Sequence, residues 1–207
     1  ASPTPRDRPP PAAGRGPCPR SRTLRSTPVP CLDPGAGRAA LPHLSHRLRA
    51  AVGEDFPIIF RYSQWKQQNY EARLCETPEA LEAFLKPLAE AGVDIFHCST
   101  RRFWEPEFEG SDLNLAGWTR KLTGKAAITV GSVGLNADFL PDDGTANFRA
   151  AEPASIDNLI ERLEKDEFDL VAVGRALIAN PDWANQVAAD QFDTLAPYRK
   201  DMLQELV

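Results

Sequence analysis

Between residues 56 and 189 the chain alternates four times between a short apolar run and a longer stretch with helical periodicity. Residues 56–62, 93–98, 126–130 and 170–173 are too short for helices. They are rich in β-branched and aromatic side chains, and they read as strands. The stretches between them read as helices. Thr77 offers a hydroxyl N-cap, Pro78 suits a first helical position, and Leu81, Phe84, Leu85 and Leu88 fall on one face. Pro87 is expected to disturb that helix and Ala91-Gly92 to end it. A second helix is expected over 113–122, closed by Gly124. A third follows Glu152-Pro153, with Ile156, Leu159, Ile160 and Leu163 on one face, and a fourth spans 181–189. Strands that alternate with helices pair in parallel through right-handed crossovers, so the fold class is α/β.

The ends of these strands carry the chemistry. They finish in Arg61-Tyr62-Ser63, in His97-Cys98-Ser99-Thr100, in Gly131-Ser132 and in Gly174-Arg175. Gly174 lets backbone come close to a ligand, and Arg175 is a planar, permanently charged fork that matches phosphate oxygens. Asn180-Pro181-Asp182 then opens a helix, whose first N–H groups favour an anion. Just upstream, Val130-Gly131-Ser132-Val133-Gly134 is a second glycine-bearing strand end. Two such ends in succession are how a TIM (β/α)8 barrel builds a phosphate site after its last strands.

These motifs, in this order, resemble the old yellow enzyme family of FMN-dependent oxidoreductases. The resemblance runs from about Arg49 to Val207 and covers only the family's C-terminal half, the last four βα units. Phe60-Arg61-Tyr62-Ser63 is similar to the family's fifth strand, and Phe108-Glu109-Gly110-Ser111-Asp112 to the segment after the sixth. The two glycine loops are similar to its FMN phosphate loops. The resemblance implies FMN as cofactor, NADPH or NADH as reductant, and an activated alkene or enone as substrate. It implies that Arg61 lies at the flavin ring edge, where a positive charge stabilises the reduced anion. Val133 and Gly134 would offer N–H groups to the phosphate, Gly174 would admit it, and Arg175 would bind it. Trp104 would border the substrate. The resemblance assigns no catalytic residue, because the family's substrate-anchoring side chains lie in its N-terminal half, which residues 1–47 do not resemble. Residues 48–207 are therefore expected to form a half-barrel with a partial FMN site.

Without the family, Arg61 is a strand-end arginine in an ion pair, Arg101-Arg102 a basic rim or, by default, a solvated pair, and His97 a satisfied strand residue. A half-barrel that serves as a non-catalytic assembly or binding module, or as a homo-oligomer, also fits. So does another FMN barrel, such as a dihydroorotate dehydrogenase-like enzyme.

Residues 1–50 hold nine Arg, no Lys and two acids, a formal +7, so the rest carries −12 of the chain's net −5. Dense Pro, Gly and Arg without periodicity make residues 1–47 an expected disordered or non-native segment. The acidic body gives no reason to expect nucleic acid, and no run is long enough to suggest a membrane. Cys18, Cys31, Cys75 and Cys98 have no C-x-x-C spacing, so neither zinc nor a redox dithiol is indicated. A cytoplasmic location is the expectation.

Overall fold

A computed structural model of the chain describes residues 34–66, 72–138 and 150–204. Four strands, β1 (Ile59–Ser63), β2 (Ile95–Ser99), β3 (Ala126–Val130) and β4 (Leu170–Ala172), make one sheet in the order β1-β2-β3-β4. Every pairing is parallel, and Arg61, His97, Ile128 and Leu170 stand side by side in register. Helices α2 (Pro78–Glu90), α3 (Leu115–Thr123) and α4 (Asp157–Glu164) form the crossovers. Consecutive strands are therefore neighbours, the pattern of successive units in a (β/α) barrel.

The two faces of the sheet differ. On the helix side Phe60, Tyr62, Phe96, Cys98, Ala127 and Thr129 pack against Leu81, Phe84, Leu85 and Leu88 of α2 and Leu115, Ala116 and Trp118 of α3. Thr119 is buried there as well; its Oγ1 lies 2.6 Å from the Tyr62 hydroxyl and accepts from the Cys98 thiol at 3.3 Å. Burial pushes the Cys98 thiol up to about 12, so it is protonated and unreactive at neutral pH. On the other face Ile59 and Leu170 are exposed, and Ile95, His97 and Ile128 are half-buried.

The helix ends follow their local chemistry. The Thr77 hydroxyl accepts from Ala80 N at 3.2 Å, with Pro78 leading the helix. Asn114 caps α3 by accepting from Gly117 N at 2.9 Å, and Gly124 closes it in the left-handed region at φ 65°.

Three expectations need correction. A helix, α1 (Pro34–Val52), crosses the expected boundary at residues 47/48, so residues 34–47 are helical rather than disordered. Leu41 packs on the core, and Arg49 donates to the carbonyls of Gly53 and Phe56, each at 2.7 Å, and of Gly92 at 2.7 Å. It also pairs with Asp94. Proline density concealed this docking; residues 1–33 lie outside the described part. Ile160 is exposed at the margin of its helix face, whereas Ile156 and Leu159 are buried and Leu163 packs against the core. Finally, a short helix, α5 (Arg175–Ala179), starts directly after Gly174, ahead of α6 (Trp183–Ala188).

Candidate anion-binding site

The C-terminal ends of all four strands border one cavity of about 400 Å³. Arg61 enters from β1, Ser99 from the end of β2, and Thr100 and Arg101 from the loop that follows. Gly131, Ser132, Val133 and Asp138 come from the loop after β3, and Gly174 and Arg175 from the start of α5. Parallel strands put all these ends on one side, so one surface collects four loops.

The loop after β3 turns sharply. Gly131, Ser132 and Gly134 have φ of 135°, 50° and 67°. A side chain at Gly131 would come within 2.7 Å of the Thr100 carbonyl oxygen, so glycine is required for the two loops to touch. Phe103 N donates to the Gly131 carbonyl at 3.1 Å. Ser132 is a non-glycine residue in the left-handed region, a strain of about 1 kcal/mol or more. Its hydroxyl, 3.1 and 3.2 Å from the carbonyls of Arg101 and Ala137, helps to hold that turn.

At β4, a Cβ on Gly174 would meet no protein atom within 4 Å, so the space over it is open. Arg175 lies beside it. Its guanidinium donates to the carbonyls of Asp138 at 3.0 Å and Ala137 at 2.5 Å, and sits over the Tyr198 ring at 5.7 Å. Burial lowers its pKa, but a guanidinium starts high enough to stay charged at neutral pH. Arg61 on β1 donates to the Ser99 hydroxyl at 3.2 Å and lies 3.3 Å from His97 Nε2. Partial burial and the Arg61 charge both hold the His97 pKa below its ordinary value, which favours a neutral ring that accepts from Arg61.

Arg101 and Arg102 are not a solvated pair. Arg101 donates to one oxygen of Asp138 at 2.7 Å and Arg102 to the other at 2.8 Å, with Arg102 also pairing with Glu105. Asp138 is the only acid among the described residues that line the cavity, against Arg61, Arg101 and Arg175. No His, Tyr, Cys or Lys is among these described residues. The arrangement can bind an anion; among its described residues no side chain is suited to giving or taking a proton at neutral pH.

Of the residues expected from sequence, Arg61, Val133, Gly174 and Arg175 meet at this cavity. Gly134 lies behind it: a Cβ there would press on the Trp183 ring at 3.0 Å, and its carbonyl accepts from Ala154 N. Gly134 therefore shapes the turn and does not line the cavity. Trp104 is not a lining residue either; its ring meets Phe103 edge-on at 5.1 Å and its carbonyl accepts from Arg162. Asp138 lies outside the expectations from sequence, and Arg101 lines the cavity where the default expectation was a solvated pair. Their only sequence signal was a charged pair directly after a strand end and an acid following the second glycine loop.

Among the described residues there is no group of three His, Cys, Asp or Glu side chains that could hold a metal ion, and no helix is long and apolar enough to cross a membrane. No family model matches the chain. In sequence it is similar to NADH oxidase of Thermoanaerobacter brockii, 33% identical over 145 residues, 66% of this chain and 19% of that enzyme. In fold it is similar to the old yellow enzyme homologue from Zymomonas mobilis, at 14% identity and a TM-score of 0.51. That match covers 81% of this chain and 39% of the homologue. It is similar too to morphinone reductase in complex with tetrahydroNAD, at 16% identity and a TM-score of 0.53, over 81% of this chain and 38% of that one. The chain thus spans less than two-fifths of the length of each. The old yellow enzyme resemblance holds, and the four parallel βα units are half of a (β/α)8 barrel.

Proposed function

We propose that this chain, which shares the fold of the old yellow enzyme homologues, binds FMN at the C-terminal ends of β1–β4. In this reading it forms part of an NAD(P)H-dependent oxidoreductase of the ene-reductase type. The observation that carries the proposal is the convergence of Arg61, Arg101 and Arg175 with two glycine-bearing strand ends on one cavity.

The residues fit the cofactor. A dianionic phosphate needs a cationic fork and close backbone approach. Arg175 supplies the fork, and the open space over Gly174 together with the turn at Val133 supplies the approach. Arg61 stands two strands away from that loop, on β1, and would meet the ring end of a bound flavin. Trp104 lies outside the cavity and has no part in the proposed site. Bound FMN supplies hydride transfer from a nicotinamide to an activated alkene. The described residues that line the cavity would bind and orient; none of them serves as a proton donor at neutral pH.

The exposed face of the sheet favours a second role beside the first. Ile59 on one edge strand is 53% exposed and Leu170 on the other 48%. Parallel sheets are ordinarily covered on both faces, so further strands, from a partner or a second copy, would complete the barrel.

The test is to titrate FMN into the purified chain, follow the flavin spectrum and tryptophan fluorescence, and assay NADPH-dependent reduction of cyclohexenone. Light scattering on the same sample gives its assembly state. FMN binding with little or no turnover is the expected result. A chain that leaves the flavin spectrum and fluorescence unchanged would overturn the proposal.

A further inference from the structure

We infer that Asp138 is a positioning residue that assembles the anion site before a ligand arrives. Its side chain is only 4% exposed, and each carboxylate oxygen is taken by a different guanidinium, Arg101 at 2.7 Å and Arg102 at 2.8 Å. Its own carbonyl accepts from Arg175 at 3.0 Å. One residue therefore bonds three arginines. Two lie in the loop after β2 and one at the start of α5, while Asp138 itself sits in the loop after β3. Those are three of the four loops that border the cavity.

The energetics give the arrangement a direction. A carboxylate this buried is costly alone and is tolerated because both oxygens are paired. The pairing works in both directions, since the long arginine side chains give up rotamer freedom to meet it. Arg101 is thus held at the cavity wall, and Arg102 is turned toward Glu105 at 2.7 Å, away from it. A ligand entering this site would not have to order Arg101 itself, which is the ordinary benefit of preorganisation.

A competing view, that Asp138 is only a negative charge beside an anion site, predicts the opposite sign. Neutralising it would then strengthen anion binding; removing a positioning residue weakens it. Asp138→Asn keeps the size of the side chain and removes its charge. In the ligand-free chain, phenylglyoxal modification mapped by peptide mass spectrometry should show Arg101 and Arg102 reacting several-fold faster in Asp138→Asn. Arg61, held by Ser99 and His97 instead, should not change. Unchanged Arg101 reactivity would overturn the inference. In a second arm, the affinity for inorganic phosphate and for FMN should fall about tenfold, the loss of roughly one charge-assisted hydrogen bond. An increase would overturn it. Should Asp138→Asn fail to fold, Arg101→Gln and Arg102→Gln carry the test. Phosphate affinity should fall about tenfold in the first and less than about twofold in the second; equal losses would overturn the inference. The affinity arms rest on the proposed anion site, whereas the reactivity arm does not. A chain that binds neither phosphate nor FMN, yet releases Arg101 when Asp138 is neutralised, would refute the FMN reading and keep this one.

Discussion

Compare the strand pair β1–β2 with the pair β3–β4. Asp94 stands directly before β2, accepts from Ile58 N at 2.7 Å, and pairs with Arg49 from α1, the helix that precedes β1. Asp169 stands directly before β4, accepts from Ala127 N at 2.9 Å, and pairs at 3.3 Å with Arg120 from α3, the helix that precedes β3. The return bonds match as well: Asp94 N donates to Ile58 O and Asp169 N to Ala127 O, both at 3.0 Å. The same carboxylate latch, with the same helix-borne arginine, closes the N-terminal end of both pairs. At the opposite end the pairs differ. β1 and β2 present side chains, Arg61 and Ser99, whereas β3 and β4 run into glycine turns at Gly131 and Gly174. The end that sets register and docks the helix before each pair is repeated, and the end that faces a ligand has diverged. This is the division of labour expected of barrel units, with stability at the N-terminal face and chemistry at the C-terminal face.

Affinity and stability should separate between the two ends of the sheet. Arg175→Ala removes a cation and two donors from the cavity wall. FMN or phosphate affinity should fall by about a hundredfold, near 3 kcal/mol for a charged fork. Stability should fall only by about 1 kcal/mol, because the Ala137 and Asp138 carbonyls lose one donor. Isothermal titration with phosphate and urea unfolding would measure the two. A variant that binds phosphate as well as the parent would mean the cavity is not an anion site.

The latches should behave in the reverse way. Asp94→Ala and Asp169→Ala each remove an acceptor for a strand-end N–H and one partner of an ion pair. These side chains are 40% and 33% exposed, so solvent screening reduces the effect. Each variant should lose about 1–2 kcal/mol of unfolding free energy and keep its phosphate affinity. Acid should mimic the first change. Burial raises the Asp94 pKa, but the Ile58 N–H and the Arg49 guanidinium outweigh it and hold it below the ordinary 3.8. Its contribution is therefore full above that value and is lost as pH falls through the lower folded one. Urea midpoints that decline together in both variants would sharpen the equivalence of the two latches. A large loss in one and none in the other would dissolve it.

The sequence showed much of the repeated scaffold and less of the site. Apolar runs of strand length and helical spacing located all four strands and the buried face of α2, because both periodicities are written in adjacent residues. The latches were illegible. Arg49 and Asp94 are 45 residues apart and meet only through the fold. α1 was hidden by its composition, since Pro42 and several glycines and alanines mask a helix that Arg49 ties down from its far end. At the site, Arg61, Gly174 and Arg175 were legible because strand ends in a parallel sheet converge. Which way the left-handed Gly134 faces was not legible, because such a glycine looks the same in sequence whether its Cα side meets a ligand or, as here, the Trp183 indole. The role of Asp138 needed three loops at once, and no local pattern carries that.

The smallest expected effect concerns the side of the site built on β1 and β2. His97 Nε2 lies 3.3 Å from Arg61 on the open face of the sheet. Partial burial lowers the His97 pKa first, and the Arg61 charge lowers it further, below the ordinary 6.5. The folded state therefore binds a proton less readily than the unfolded chain. The stabilisation this provides is fully present above about pH 6.5 and is lost as pH falls through the folded value. His97→Gln removes the titration and keeps a polar group for Arg61. The urea midpoint of the parent should decline between pH 7 and pH 5 more than that of His97→Gln, after correction for other titrating groups by using Arg61→Gln as a second reference. With Arg61 replaced, only the burial component should remain, so the decline should be intermediate. A parent and a His97→Gln variant with identical pH profiles would mean that His97 is hydrated and unpaired in solution. The rim on β1–β2 would then be held by the Arg61–Ser99 bond alone, a looser wall than the one Asp138 makes on the other side.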